Sequence, residues 1–208
     1  MLVMSLYSAI CAWAGPESLP VYDGPALPPG RGGWHDGGVD YLLAQVNIGR
    51  MREPLDGPLL ADFVAALDPV NAAADTAPGF VWRLQTEDGN ATAVHAFEWD
   101  RAGSAGVLVN MSVWESVEAL AAFVYGDAHR EVLRRRREWF ERLTDLYAAA
   151  WWIPRGHIPT IVEAEDRLKY LRRHGPTPYA FTLKVHFPPP GAADTEPLLS
   201  PADWACTV

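Results

Sequence analysis

The chain is poor in lysine and cysteine and has no long hydrophobic run. Only Lys169 and Lys184 are lysines, and Lys plus Arg number 17 against 26 Asp plus Glu, a formal net charge of -9 over 208 residues. A duplex-binding protein neutralises phosphates with clustered basic groups, so this balance argues against a nucleic-acid partner. The two cysteines, Cys11 and Cys206, sit near opposite ends without metal-ligand spacing. Neither a disulfide framework nor a structural zinc is indicated, and they read as thiols of a reducing cytoplasm. No apolar run reaches the roughly 20 residues that span a bilayer, so no membrane partner is expected. A Gly-x-Ser-x-Gly elbow, a glycine-rich phosphate loop after a strand, and His-x-His or His-Glu-x-x-His pairs are all missing. Their absence argues against a serine nucleophile of that kind, a nucleotide cofactor and a dedicated metal site. A haem on one axial histidine leaves no spacing signature and stays a minor alternative to an enzyme with no cofactor.

What is present is enough for one domain with a real core: 49% of residues are apolar and 21% charged. Residues 1–38 form an apolar N-terminal arm and a Pro/Gly-rich linker, in which no Lys or Arg precedes Arg31 to give a secretory signal its charged start. The arm is expected to pack on the domain or on a partner chain. Residues 39–187 form the domain, and 188–208 a proline-containing tail.

Within the domain, Tyr41 to Ile48 alternates as a strand closed by Gly49. Pro58 suits the first turn of a helix carrying Leu59, Leu60, Phe63, Val64 and Leu67 at helical spacing. Phe80–Gln85 is a strand, Thr86–Asn90 a turn, Thr92–Trp99 a short strand, and Val107–Trp114 a strand of apolar and β-branched residues. Ser116 opens a helix, and a second helical run covers Ala128–Asp145. Leu146–Ile153 is a strand. Thr160, with Glu163 three residues on, forms a capping box for a helix to Arg173, ended at His174-Gly175-Pro176. Tyr179–Phe187 is a last strand. The order is the β-α-β-β-α-β pattern of a ferredoxin-like α+β sheet, with an appended helix and strand.

Parity along the strands separates two faces. Ala44, Val46 and Ile48, with Val107, Val109, Met111 and Val113, and with Phe80, Trp82 and Leu84, make apolar sides. The opposite sides carry Gln45 and Asn47, Arg83 and Gln85, and Asn110 and Ser112, among Tyr41, Leu43, Leu108 and Trp114. Helices are expected to cover only one face, leaving this mixed amide and aromatic face as a dimer interface, a ligand cavity, or both.

Leu43-Ala-Gln-Val-Asn-Ile48, Pro78-Gly-Phe-Val-Trp-Arg-Leu-Gln85, Leu108-Val-Asn-Met-Ser-Val-Trp-Glu115, the segment His129–Phe140, Trp151-Trp152, Gly156-His157 and His174-Gly-Pro-Thr-Pro178 occur in order. Together they resemble the bacterial domain-of-unknown-function family 3291, which is similar to the dimeric α+β barrels that include antibiotic-biosynthesis monooxygenases and aromatic polyketide cyclases. The resemblance spans about Tyr41 to Phe187. It implies a homodimeric α+β barrel with a pocket in each protomer and no particular reaction.

On the helical run, His129, Val132, Leu133, Arg136 and Phe140 share a face. His129 is therefore a candidate general acid or base, as well as a core histidine satisfied by backbone or a carboxylate. Arg136 and Arg83 are candidate anion holders. Asn110, Gln45 and Asn47 are candidate donors to a carbonyl or oxyanion. Trp114 and Trp152 are candidate pocket walls. His157 and His174 read as turn and helix-end residues. These residues point to a cytoplasmic enzyme of natural-product biosynthesis that takes a hydrophobic enolisable metabolite through cofactor-independent cyclisation or dehydration. Cofactor-free or haem-assisted oxygenation is one alternative, and non-catalytic small-molecule binding or a stress-response role is another.

Overall fold

Strand β1 (Tyr41–Met51) is the axis of the structure, hydrogen-bonded along both edges. The computed structural model describes residues 40–85, 96–101, 103–126, 135–193 and 195–200. The arm and linker of residues 1–38, the turn Thr86–Asn90, His95, His129 and both cysteines lie outside the described residues. Beside β1 run β3 (Gly106–Trp114) and β4 (Ala148–Pro154), and β2 (Phe80–Arg83) lies outside β3. All three pairings are antiparallel, in the order β2-β3-β1-β4. Helix α1 (Ala61–Asp75) connects β1 to β2, and α2 (Val117–Val124) leaves β3. Helical residues 135–139 (α3) precede β4, and α4 (Ile161–His174) follows it. The fold is therefore α+β, with one four-stranded antiparallel sheet and helices.

Gly49 does not close β1. Backbone groups of Trp139, Glu141, Ala105 and Tyr147 supply partners out to Arg52, so the strand continues to Met51. The same contacts end α3 early. Trp139 O accepts from Arg52 N, Phe140 bridges Met51, and residues 141–145 leave the helical path expected for them. The strand expected at Thr92–Trp99 becomes, where described, a 3-10 turn at Glu98–Asp100. Phe97 enters that turn at φ 56, in the left-handed region a bulky residue rarely takes, and its N–H is held by Glu165 Oε1 at 2.6 Å.

The last expected strand is also broken. Phe181 makes one bridge to Ala150, a turn closes between Thr182 and Val185, and only Val185–His186 (β5) is paired, with Leu198–Leu199 (β6) of the tail. Thr182 Oγ1 accepts from Val185 N and stabilises that turn locally.

Both sheet faces are covered within the chain, which corrects the expectation of one open face. The apolar side of β1, β3 and β4 packs on Ala164, Leu168 and Leu171 of α4 and on Phe97. The mixed side packs under α1 through Phe63, Leu67 and Val70 and under α2 through Val117, Leu120 and Val124. Each buried Leu of α4 contributes roughly 1.5–3 kcal/mol. The exposed mixed face on which a homodimer was expected is therefore not present among the described residues. A register shift between Phe80 and Trp82 adds a further correction. Phe80 pairs with Trp114 and packs with it on the mixed side, while Trp82 packs on the apolar side. A bulge puts two residues opposite one, so simple alternation fails there.

Candidate functional site

The β1–β3 register sets Gln45 opposite Ser112 and Asn47 opposite Asn110, while β2 brings Arg83 opposite Ser112. All five side chains are buried, as is Asn71 of α1. Ser112 Oγ accepts from Gln45 Nε2 at 3.3 Å and from Trp114 Nε1 at 2.8 Å. Beyond these bonds the amides are under-satisfied: Asn47 Oδ1, Asn71 Oδ1 and both side-chain polar atoms of Asn110 have no partner. A buried polar group left without a partner costs about 1–3 kcal/mol, so a stretch of four such atoms is unusual in a core.

Gln45 and Asn47 line a cavity of about 20 Å³, walled otherwise by Leu120 and Val124 of α2, residues 148–150 of β4, and Thr182 and Leu183. That space suffices for a water-sized group. None of the lining side chains ionises. The cavity can therefore orient and polarise a neutral polar group, and a proton acceptor has to come from elsewhere in the chain.

The other candidate residues among those described have partners of their own. Arg83 is ion-paired to Asp75, Nε to Oδ1 at 2.9 Å, which counters its charge in this structure. Arg136 is half-buried on α3 and has an interaction of its own. Trp114 is fully buried, edge-on to Phe80 and tilted against Phe123 at centroid distances of 5.3 and 5.0 Å. Trp152 donates to Phe187 O at 2.7 Å. Both indoles belong to the core under α2 and not to the cavity wall. Asn71 and Thr182 were missed by sequence reasoning. Asn71 was findable, since it lies four residues after Leu67 and three before Ala74 on the inward stripe of α1.

The charged centres sit on the other side of the sheet. Burial pushes the Asp100 carboxyl up, but hydrogen bonds and charge from Arg172 and Arg50 outweigh it and hold the group below its ordinary value. Glu163 is likewise raised by burial and lowered further by hydrogen bonds from His157 and Trp151 and the charge of Arg167. His157 Nε2 lies 2.8 Å from Glu163 Oε2. Among the described residues no group of three or more His, Cys, Asp and Glu could hold a metal ion. No helix among them is long and apolar enough to cross a membrane.

No match is found among curated proteins or among solved structures. Residues 42–197, most of the chain, match the family described as Domain of unknown function (DUF3291). That span takes in the four-stranded sheet but for Tyr41, the cavity and helices α1 to α4, so the chain belongs to the DUF3291 family.

Proposed function

We propose that the protein is a small-molecule enzyme that works without a cofactor on an uncharged, enolisable carbonyl compound held between the sheet and α2. The observation that carries this reading is a cavity walled by the buried amides of Gln45 and Asn47, at which Asn47 Oδ1 has no hydrogen-bond partner. Donors already fixed by the surrounding packing stabilise developing charge on a carbonyl oxygen without reorganising. His129 would exchange the proton and Arg136 would balance the charge, giving cyclisation or dehydration. The strand order β2-β3-β1-β4 with α1 and α2 on one face supports a ferredoxin-like sheet as the scaffold. The second copy of a dimeric barrel would have to dock outside the faces that α1, α2 and α4 cover.

A specific observation also favours a second reading, non-catalytic binding: no ionisable side chain among the described residues lines the cavity. One experiment separates the two. Purified protein is incubated with a small-molecule extract of its source cells, and depletion is followed by mass spectrometry for the wild type and for His129→Ala. A compound consumed by the wild type and spared by a folded His129→Ala supports the enzyme. Compounds retained on the protein through gel filtration with none consumed support binding alone. No depletion and no retention overturn both.

A further inference from the structure

Trp151 and the Gly156-His157 turn take no part in the cavity and meet at the start of α4. His157 is 42% exposed, and its Nε2 lies 2.8 Å from Glu163 Oε2. Glu163 is fixed from three further sides: Thr160 Oγ1 accepts from its N–H, Trp151 Nε1 donates to Oε1 at 2.8 Å, and Arg167 Nη2 lies 3.5 Å from the same oxygen. Burial opposes its ionisation, and the bonds from His157 and Trp151 outweigh burial, so it is a carboxylate at neutral pH. A carboxylate only accepts, so in the neutral ring the nitrogen that faces it carries the proton. That leaves Nδ1 as a lone-pair acceptor, without a partner among the described residues. The loop does not need this imidazole to hold its place. Asp40 accepts from both the backbone and the guanidinium of Arg155, His157 N–H closes a turn onto Pro154 O, Pro159 is buried, and Thr160 caps α4. Nor does Glu163 lack a counter-charge without it, since Arg167 supplies one.

We propose that His157, with Glu163 as its positioning residue, is a second proton-transfer site of this chain, a general base that drives water onto the carbonyl of a small uncharged ester. Nδ1 takes a proton from water as the water oxygen bonds to the acyl carbon. The ester C–O bond then breaks, and the imidazolium returns the proton to the departing alkoxide, leaving an acid and an alcohol. Glu163 holds the ring in the tautomer that accepts and stabilises the imidazolium that forms, as a carboxylate behind a catalytic histidine does. Ile158, Val162 and Tyr179 are exposed around the dyad, Tyr179 with its ring 3.8 Å from the Arg167 guanidinium. They offer apolar surface, which favours an uncharged acyl group. The site lies on the α4 side of the sheet and is independent of the amide-lined cavity and of His129.

para-Nitrophenyl acetate and para-nitrophenyl hexanoate, given separately to the full chain at neutral pH with nitrophenolate release followed by absorbance, test it. The wild type should turn over repeatedly. His157→Ala, which removes an exposed side chain, should lose about a hundredfold in kcat/KM. His174→Ala, an exposed histidine at the other end of α4, should leave the rate unchanged. Glu163→Gln, with its oxygen kept on Trp151, sets an amide N–H against Nε2 and moves the ring proton to Nδ1. Its kcat should fall about tenfold with KM unchanged. The hexanoate should show a KM about tenfold below that of the acetate, because its longer chain covers the apolar side chains. A His157→Ala variant as fast as the wild type, or an equal loss in His174→Ala, would overturn the dyad, and these two variants decide the matter if Glu163→Gln fails to fold. A Glu163→Gln variant with kcat unchanged would overturn the positioning role. Equal KM values for the two esters would overturn the apolar substrate class.

Discussion

Asn110 is the residue at which stability and function should part. It is fully buried on β3 with neither side-chain polar atom satisfied. An apolar replacement of similar size removes two desolvated groups that make no bond, so Asn110→Leu should raise stability to urea by about 1–2 kcal/mol. If the amide serves a ligand, the same variant should lose substrate turnover. A destabilised Asn110→Leu would mean that the side chain has a structural partner and would count against the site. Asn110 was legible in the sequence as a mixed-face residue, because alternation assigns sides without knowing what covers them. Its lack of partners was not legible, since that depends on what α1 and α2 present across the gap.

At the scale of elements, two helices carry separable predictions. Thr160 was read as an N-cap, and its Oγ1 accepts from Glu163 N at 3.2 Å. Thr160→Ala should cost about 1 kcal/mol in urea unfolding. The capping box is only half formed, because the Glu163 carboxylate reaches Trp151 Nε1 at 2.8 Å and His157 instead of returning to the cap. The motif was in the sequence, and a tertiary neighbour redirected one arm of it. In α1, Pro69 is exposed inside the helix and offers no N–H to the turn before it. Pro69→Ala should therefore stabilise the protein by about 1–3 kcal/mol, read as a higher urea midpoint with unchanged circular dichroism. A loss of stability would show that the proline fits a bend the fold needs. The end of α3 at residue 139 and the breaking of the last strand were not readable from periodicity. In both places backbone pairing with a distant strand outweighed local helix or strand preference.

For the whole molecule, the acid groups on the α4 side set the response to pH. Asp100, buried between Arg50 and Arg172 at 2.8 and 2.7 Å, and Glu163 and Glu165 all ionise below their ordinary values of 3.8, 4.5 and 4.5. For Glu165, burial opposes the shift and the Phe97 N–H, Lys169 and Trp99 drive it. A carboxyl depressed in the folded state binds fewer protons than in the unfolded chain. Its contribution is complete above the unfolded value and is lost as pH falls through the folded one. Unfolding free energy should thus hold from neutral pH to about pH 5 and fall steeply below about pH 4, measured by urea titration at each pH. Asp100→Asn strands two arginines without their shared counter-charge, should cost about 3 kcal/mol at pH 7, and should flatten the acid limb. An equal acid loss in that variant would place the sensitivity elsewhere.

The sequence by itself determined the α+β class, the strands at the centre of the sheet, the sorting of Gln45, Asn47, Asn110 and Ser112 onto one side, and the Ser116 and Thr160 caps. These follow from period-two alternation and from side chains that bond their own backbone, which are local effects. Only the tertiary structure decided that α4 covers the apolar face, that α1 and α2 bury the amides, and that a bulge turns Phe80 away from the side of Trp82. Periodicity tells which residues share a face. What buries that face depends on the path of chain segments far away in sequence, and on which of them can cover the most apolar surface.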